Sequence, residues 1–269
     1  MRRAPSPTAF AADPIDRYWI GNTQIVWCRH PTACGSLHWG RPDEHDAREL
    51  TQALELTDRL APAFDVFMDG RAIVNVEFGA FALLFEYVRT RMPNWATQIR
   101  RQAVVLPNNA TGAQLAGVGP MLGVTYPMNF ASAVEAALAW LDWQPGDLAA
   151  LAVAEVAALA AAAQAEPTIA HRLRIWLEGA LQAATTEAAS EALAISVRSL
   201  QRLLADAGTS FSAELAGARV RAAAAMLVET DEKIDAIARA VGCATASRLS
   251  ELFRRHHGQT PAQYRASRR

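Results

Sequence analysis

The sequence predicts a two-domain protein in which an α/β domain, a small sheet with packed helices, precedes an all-α domain. The chain has 269 residues, which exceeds one typical domain and suits two. Strand-like and helix-like segments alternate as far as residue 145, and beyond that point only helical patterns occur. One short helical pattern then occurs twice within the last third of the chain.

Strand-like segments occur five times in the first domain, 1–145. TQIVWCR (23–29) and SLHWG (36–40) predict two strands joined as a hairpin by a connection that carries Pro and Gly. FDVFMDG (64–70) and RQAVVL (101–106) are apolar runs rich in strand formers, and TYPMNF (125–130) predicts a further strand.

Helical spacing of apolar residues occupies the segments between these strands. The spacing predicts helices over 43–60, 76–91, 112–122 and 131–141. Because strands and helices alternate, we expect the helices to pack on a small sheet.

Residues 146–167 form an alanine-rich segment that links the two domains. Alanine has the highest helix propensity and Pro167 ends the run, so we predict a helix over 147–165. Its leucines and valines favour packing against a neighbour or a second subunit over a flexible linker. Glu155 and Gln164 interrupt the apolar run, and we expect no membrane span.

Composition and charge are typical of a protein of the cytoplasm. The chain is 51% hydrophobic and 20% charged, and its first residues lack the sustained apolar region of a signal peptide. From Thr168 onward the chain has 14 Lys and Arg and 10 Asp and Glu, which gives a net charge of +4. The preceding residues have 12 Lys and Arg and 17 Asp and Glu, which gives a net charge of −5. This imbalance predicts that the C-terminal domain faces an anion.

The chain has three cysteines, Cys28, Cys34 and Cys243, which favour a reducing compartment over a disulfide framework. His30 and His38 lie close to the first two, which opens the interpretation of a zinc site. The spacing is not a standard zinc-finger pattern, and alternate residues of a strand point to opposite faces. We therefore expect an ordinary strand and turn there, with no metal and no cofactor.

The repeated pattern of the last third is a short amphipathic helix. In SVRSLQRLLADAG (196–208), Ser196 can cap the helix start and Gly208 can end it in the left-handed conformation. One face is predicted to be buried and carries Leu200, Leu203, Leu204 and Ala207.

The second copy, TASRLSELFRRHHG (245–258), has the same design. Thr245 can cap its start and Gly258 can end it. Each copy follows a short alanine-rich helix and a tight connection, so the sequence predicts two helix-turn-helix modules.

Residues 171–265 resemble the DNA-binding domain of the AraC/XylS family of bacterial transcription regulators. The resemblance rests, in order, on SVRSLQRLLADAGTSF, ELAGARVRAAAAMLVETDEKI, AIARAVG and FRRHHGQTPAQYR. It implies that 168–269 binds double-stranded DNA with two recognition helices in adjacent major-groove segments. It also implies an activator or repressor that acts on RNA polymerase, and we expect a homodimer.

Polar side chains on the two helices are the candidate DNA contacts. Arginine can bind guanine bidentately and glutamine can read adenine, which suits Arg198, Gln201 and Arg202, and the resemblance implies DNA contacts at the same three positions. The full predicted set is Ser196, Arg198, Ser199, Gln201, Arg202, Thr245, Ala246, Ser247, Arg248, Arg254 and Arg255.

The second helix is expected to read bases less well than the first. Glu251 places a carboxylate where it would face phosphates, although it could accept a hydrogen bond from cytosine. Arg254 and Arg255 are expected to hold backbone phosphates. Arg219 and Arg221 lie between the two modules, and two interpretations apply to them equally: a contact with a phosphate, or a solvated position without a contact.

The first domain resembles STAS-like domains in its order of elements, in FDVFMDG followed by a long helix, and in VEAALAWL. This resemblance implies a dimerisation or partner-binding scaffold. GRAIVNVEFG holds no hydroxyl residue at the position of the phosphorylated Ser or Thr of such domains, so we expect no phosphoswitch. Binding of a small-molecule effector is a further interpretation.

Two other functions are alternatives to a DNA-binding regulator. In one, the first domain chiefly binds a protein partner and DNA binding is secondary. In the other, the protein is a DNA-repair methyl acceptor, whose chemistry needs a cysteine cluster around zinc. We predict no enzyme, because the sequence has neither a nucleophile elbow nor a phosphate-binding loop.

Overall fold

The computed structural model describes residues 1–60, 62–165 and 167–268, with the side chain of residue 268 outside the description. The chain divides into two compact units, Met1–Glu166 and Pro167–Arg269. The first contains a mixed sheet with helices and the second is helical, as the sequence predicts.

One sheet forms the centre of the first unit, and its strands lie side by side in chain order. The described residues include β1 (Arg2–Arg3), β2 (Arg17–Ile20), β3 (Gln24–His30), β4 (Ala33–Gly40), β5 (Phe64–Ile73), β6 (Ile99–Val105) and β7 (Met128–Ala131). β2, β3 and β4 pair antiparallel, which confirms the predicted hairpin. From β4 to β7 the pairing is parallel, and parallel strands require crossover connections that place helices on the sheet faces.

Helices cover both faces of this sheet. They are α1 (Pro7–Ala12), α2 (Glu44–Leu54), a 3-10 helix (Glu55–Arg59), α3 (Phe78–Gln98), α4 (Ala110–Ala116), α5 (Val118–Leu122), α6 (Val134–Trp140) and α7 (Leu148–Ala165). Successive strand residues point to opposite faces, so Val26 joins a core with α2 and α3 while Trp27 joins a second core with α7. The sheet is therefore the middle layer of three.

Two predicted helices differ in extent from the observed ones. The segment 112–122 forms two short helices instead of one. The helix is interrupted at Gly117, and Pro120 has no N–H to donate to the preceding turn. The helix predicted over 76–91 continues to Gln98 through Pro93, since Met92 and Trp95 bury their side chains in the first core.

The alanine-rich helix, α7, is a layer of the first unit. Ala152, Val153, Val156 and Ala160 are buried in the second core, and the division between the units falls after this helix. The helix α7 lies in the segment predicted to link the two domains, and it packs on the sheet because its apolar side chains recur at helical spacing. By length and composition alone, α7 also meets the requirements of a membrane span, contrary to the sequence-based expectation.

The second unit consists of helices. The described residues include α8 (Ile169–Ala180), α9 (Thr186–Ala192), α10 (Val197–Asp206), α11 (Phe211–Glu229), α12 (Ile234–Ala240), α13 (Ala246–His257) and α14 (Pro261–Arg268). The long helix α11 contributes to two hydrophobic clusters. Ala218 packs in one cluster with side chains of α8, α9 and α10, whereas Leu227 packs in another with side chains of α12, α13 and α14.

Gly242 allows the turn between α12 and α13 to pack against the end of α8. Its φ is +75°, and a Cβ atom at this position would lie 2.3 Å from the carbonyl oxygen of Leu181. Gly208, which follows α10, has a φ of +73° but open space around the same position. The two glycines thus share a left-handed backbone conformation that would strain a residue with a Cβ atom, and they differ in the space available.

We expect Gly242→Ala to destabilise the second unit much more than Gly208→Ala. The left-handed conformation alone costs about 1 kcal/mol for alanine, whereas the clash at Gly242 raises the loss to about 3 kcal/mol or more. Hydrogen exchange of the α11 and α13 amides in the full chain, followed under increasing urea, measures both losses. Equal losses would show that the approach to Leu181 does not constrain the fold.

Candidate nucleic-acid interface

The helix α10 presents a polar face because its apolar face is held in a core. Leu200 and Leu204 are fully buried, and the Ser199 N–H donates a hydrogen bond to Ser196 Oγ at 3.1 Å. The predicted cap at Ser196 is confirmed by this bond. Ala207 is exposed, contrary to the prediction, because the helix ends at Asp206 and the chain turns away there.

The predicted DNA contacts of α10 lie on its outward side. Arg198, Gln201 and Arg202 are exposed, as is Ser196, while Ser199 is half-buried. Within the described ranges, neither Arg198 nor Arg202 has an ion-pair or side-chain hydrogen-bond partner. Both guanidinium groups are therefore available to a ligand with acceptor atoms.

The helix α13 has the same design with a different charge arrangement. The Arg248 N–H donates to Thr245 Oγ1 at 3.1 Å, and Gly258 ends the helix with a φ of +69°. Its inward residues Leu249, Leu252 and Phe253 are buried. Of the other predicted contacts, Ala246 is half-buried, and the exposed ones are Thr245, Ser247, Arg248, Arg254 and Arg255.

Glu251 forms ion pairs with two of the predicted DNA-contacting arginines. Arg248 Nη1 donates to its Oε2 at 2.6 Å, and Arg255 Nη2 donates to its Oε1 at 3.1 Å. The spacings are i,i+3 and i,i+4, so this network could have been predicted from the sequence. As a result, α13 presents less free positive charge than its arginine content suggests, whereas Arg254 has no such partner in the described part of the chain.

A buried ion pair that the sequence analysis missed sets the position of α11. Arg174 Nε and Nη2 donate to the two carboxylate oxygens of Glu214 at 2.7 and 3.1 Å. Thr209 Oγ1, in the connection between α10 and α11, donates to Glu214 Oε1 at 2.8 Å. Glu214 therefore joins three elements: α8, the connection that follows α10, and α11 itself.

Two further arginines have structural partners. Arg219 Nη2 donates to the carbonyl oxygen of Leu181 at 3.3 Å. Arg265 donates to the carbonyl oxygens of Leu227 and Glu232 at 3.2 and 2.6 Å, respectively, near the end of α11. These contacts tie α8 and α14 to α11, so both guanidinium groups contribute to the packing of the unit.

The cysteines do not form a metal centre in the described residues, where no group of three or more His, Cys, Asp or Glu side chains could hold a metal ion. All three thiols are buried. Burial raises the pKa of Cys28 to about 12 and also raises the pKa of Cys34, so both stay protonated at neutral pH. The zinc interpretation and the methyl-acceptor alternative therefore lack a ligand set in the described chain.

A family model matches within the second unit. Residues 189–267 match the family model described as "Helix-turn-helix domain". The HTH-type transcriptional regulator RipA of Corynebacterium glutamicum is 42% identical over 76 residues, which cover 28% of this chain and 23% of RipA. The chain therefore matches less than a quarter of that protein's length.

Solved structures of regulator domains are similar to a part of the chain. The C-terminal domain of AraT, a response regulator from Geobacillus stearothermophilus, is 32% identical, with 37% of this chain and 85% of that chain covered and a TM-score of 0.34. A transcriptional regulator with an AraC-type DNA-binding domain from Chromobacterium violaceum is 28% identical, with 40% and 96% covered and a TM-score of 0.36. Because these scores are low, the domain assignment rests on the sequence matches.

We expect Glu214→Leu to lower the free energy of unfolding of the second unit by about 3 to 5 kcal/mol, because the substitution removes the buried carboxylate that accepts two hydrogen bonds from the buried Arg174 guanidinium. The double variant Arg174→Met/Glu214→Leu should recover most of this loss, since it removes both buried charges. Hydrogen exchange of the α8 and α11 amides measures the change in the full chain.

Glu251→Leu is the matched control for this change, because it removes an exposed carboxylate that also pairs with arginine. It should leave the same amides almost unaffected, as exposed ion pairs contribute little to stability. If the double variant were as unstable as Glu214→Leu, the buried charge of Arg174 would not be the cause of the loss.

Proposed function

Because residues 189–267 are a helix-turn-helix domain of the AraC type, we propose that the protein is a sequence-specific, DNA-binding transcription regulator of the AraC/XylS type. Two recognition helices, α10 and α13, enter adjacent segments of the major groove. The observation that carries the proposal is the match of this domain together with the exposed Arg198 and Arg202 of α10, which have no ion-pair partner among the described residues.

The helix α10 is the main base reader of the proposed complex. The major groove admits an α-helix, and each base pair displays there a distinct pattern of donors and acceptors. Arg202 and Arg198 can donate bidentately to guanine, and Gln201 can read adenine. Ser196 and Ser199, at the start of the helix, are suited to phosphate contacts because they lie beside backbone N–H groups.

The helix α13 contributes more to affinity than to sequence selection. Arg254 is exposed and unpaired in the described residues, so it binds a backbone phosphate. Arg248 and Arg255 form ion pairs with Glu251, and its negative charge weakens their attraction to DNA. Thr245, Ala246 and Ser247 lie at the start of the helix that enters the groove.

The length of α11 supports the binding of two groove segments by one chain. The helix has 19 residues, which corresponds to about 28 Å at 1.5 Å per residue. Successive turns of one DNA face are about 34 Å apart. A helix of this length, with one module at each end, suits two neighbouring segments of the same DNA face.

At the level of the whole chain, we propose a cytoplasmic bacterial homodimer that activates or represses transcription by contacting or excluding RNA polymerase. The charge of +4 from Thr168 onward, against −5 before it, favours DNA contact by the second unit. The first unit mediates self-association, the binding of a small-molecule effector, or both. A function centred on a protein partner is not favoured, since residues 189–267 match a helix-turn-helix domain and the similar protein RipA is a transcriptional regulator.

A target sequence can be obtained by isolating, from a pool of random DNA fragments, those that the full chain binds at near-physiological salt. On the selected site, we expect Arg202→Ala to weaken binding by about 1 to 3 kcal/mol and to leave most of the affinity for random DNA, because it removes a base contact. Arg254→Ala should weaken binding to both DNAs alike and reduce the salt slope by about 1.

Arg254→Ala therefore serves as the matched control for Arg202→Ala, because the same residue type is removed from the other helix. Fluorescence anisotropy at several salt concentrations measures the affinity of both variants for selected and random DNA, and so distinguishes a base contact from a phosphate contact. Equal losses on specific and random DNA for Arg202→Ala would refute its role as a base reader. The absence of any enriched motif in the selection would refute sequence-specific binding itself.

We expect Glu251→Gln to strengthen DNA binding, on random as well as selected DNA, since it removes a negative charge and releases Arg248 and Arg255 for phosphates. The salt slope should become steeper by about 1 to 2. Glu229→Gln is the control, because it makes the same change at an exposed position on α11, outside both recognition helices. An equal gain in the two variants would show that only the net charge matters.

A further inference from the structure

A cavity of about 260 Å³ lies in the first unit between α3 and the sheet. Its floor is formed by side chains on one face of the strands, such as Val26, Ser36 and Val104. Its roof is formed mainly by α3, and α4 and α5 close one side. The second face of the same sheet packs tightly on α6 and α7, so the cavity is confined to one layer.

The helix α3 has an apolar stripe that is not fully packed. Phe81, Leu84, Phe85 and Val88 recur at helical spacing and line the cavity, and each of them is only half-buried. Further along the same stripe, Trp95 is buried in the first core and also lines the cavity. Protein interiors are normally close-packed, so a cavity lined by this stripe from Phe81 to Trp95 leaves space for an apolar molecule.

The lining of the cavity excludes a charged occupant. Among the described residues that line it, none is Asp, Glu, Lys or Arg. Burial lowers the pKa of His38 to about 4, so its imidazole is neutral at physiological pH. An ion in this cavity would lose its hydration without gaining a counter-charge, which is strongly unfavourable.

One part of the floor carries three polar side chains, those of Gln24, Ser36 and His38. Gln24 and His38 lie directly opposite each other on β3 and β4, and both line the cavity. His38 Nε2 lies 2.8 Å from Ser36 Oγ, and Gln24 Nε2 donates to the carbonyl oxygen of Asp46 at 2.7 Å. Within the described residues, His38 Nδ1 and Gln24 Oε1 have no hydrogen-bond partner.

We propose that this cavity binds a neutral, largely apolar small molecule that directs one hydrogen-bonding group, such as a hydroxyl or carbonyl, towards Gln24 and His38. The cavity and its lining carry this proposal independently of DNA binding. The further role of the ligand as the signal that the regulator senses rests on the proposed function.

Direct binding of the neutral fluorophore N-phenyl-1-naphthylamine to the full chain tests the site without DNA. We expect saturable binding at one site, with the blue-shifted emission of an apolar environment. Leu84→Trp fills the cavity with an indole and should weaken binding ~10-fold or more. Met121→Trp adds the same indole at an exposed position outside the lining and should leave binding unchanged.

A second filling variant, Val88→Phe, keeps the test decisive if Leu84→Trp does not fold, as judged by circular dichroism. Val88 is half-buried and lines the cavity one turn further along α3. The proposal is overturned if the wild-type protein does not bind the fluorophore, or if a folded filling variant binds it as well as the wild type does.

Competition experiments test the chemical class of the ligand. 1-Octanol should displace the fluorophore at concentrations ~10-fold or more below those needed for octanoate or octylammonium, because only the alcohol is uncharged. His38→Leu should weaken displacement by 1-octanol more than it weakens binding of the fluorophore. Equal competition by the three octyl compounds would refute the neutral site, and an unchanged effect of 1-octanol would refute the polar end.

The outcomes separate this proposal from the proposed function. If the fluorophore fails to bind while the DNA selection enriches a motif, only the ligand site is refuted. If the fluorophore binds as expected while no motif is enriched, only the function as a sequence-specific regulator is refuted.

Discussion

The buried carboxylate of Glu214 is the constraint on which the geometry of the second unit depends. It accepts hydrogen bonds from Arg174 on α8 and from Thr209 in the connection between α10 and α11. An isolated charge in this position would be very unfavourable, so the three groups must stay together in one arrangement. Because Thr209 directly follows the turn that ends α10, the orientation of this helix relative to α11 is coupled to the same ion pair.

Glu251 shows how differently the same residue type acts at the surface. Its carboxylate is about half exposed and bridges Arg248 and Arg255, so it contributes little to stability. Its main effect is to make the electrostatic potential of α13 less positive, because it competes with DNA phosphates for Arg248 and Arg255. On α10, by contrast, neither Arg198 nor Arg202 forms an ion pair with a carboxylate among the described residues. The two recognition helices thus share a backbone design and differ in the charge they offer to DNA.

The sequence predicts those features that depend on local spacing. Ser196 and Thr245 as caps, and Gly208 and Gly258 as helix stops, follow from the chemistry of helix ends. Features that depend on distant residues could not be predicted in this way: Arg174 meets Glu214 across 40 positions, and Gly242 is required by a carbonyl of Leu181. For the same reason the sequence does not distinguish a filled core from a cavity, because Phe81, Leu84 and Phe85 would follow the same spacing in both.

The two faces of the sheet in the first unit differ in how firmly they are packed. On one face Trp27 and Phe67 contact Trp143, with ring centroids 6.2 and 6.4 Å apart, while the other face borders the cavity. A ligand shifts only an equilibrium between states for which its affinities differ. The strands of the floor are fixed by their ladder and by the tightly packed face, so their positions change little. The half-buried side chains of α3 and α5 gain contacts when the cavity is filled, and any response of this unit to a ligand therefore lies in these two helices.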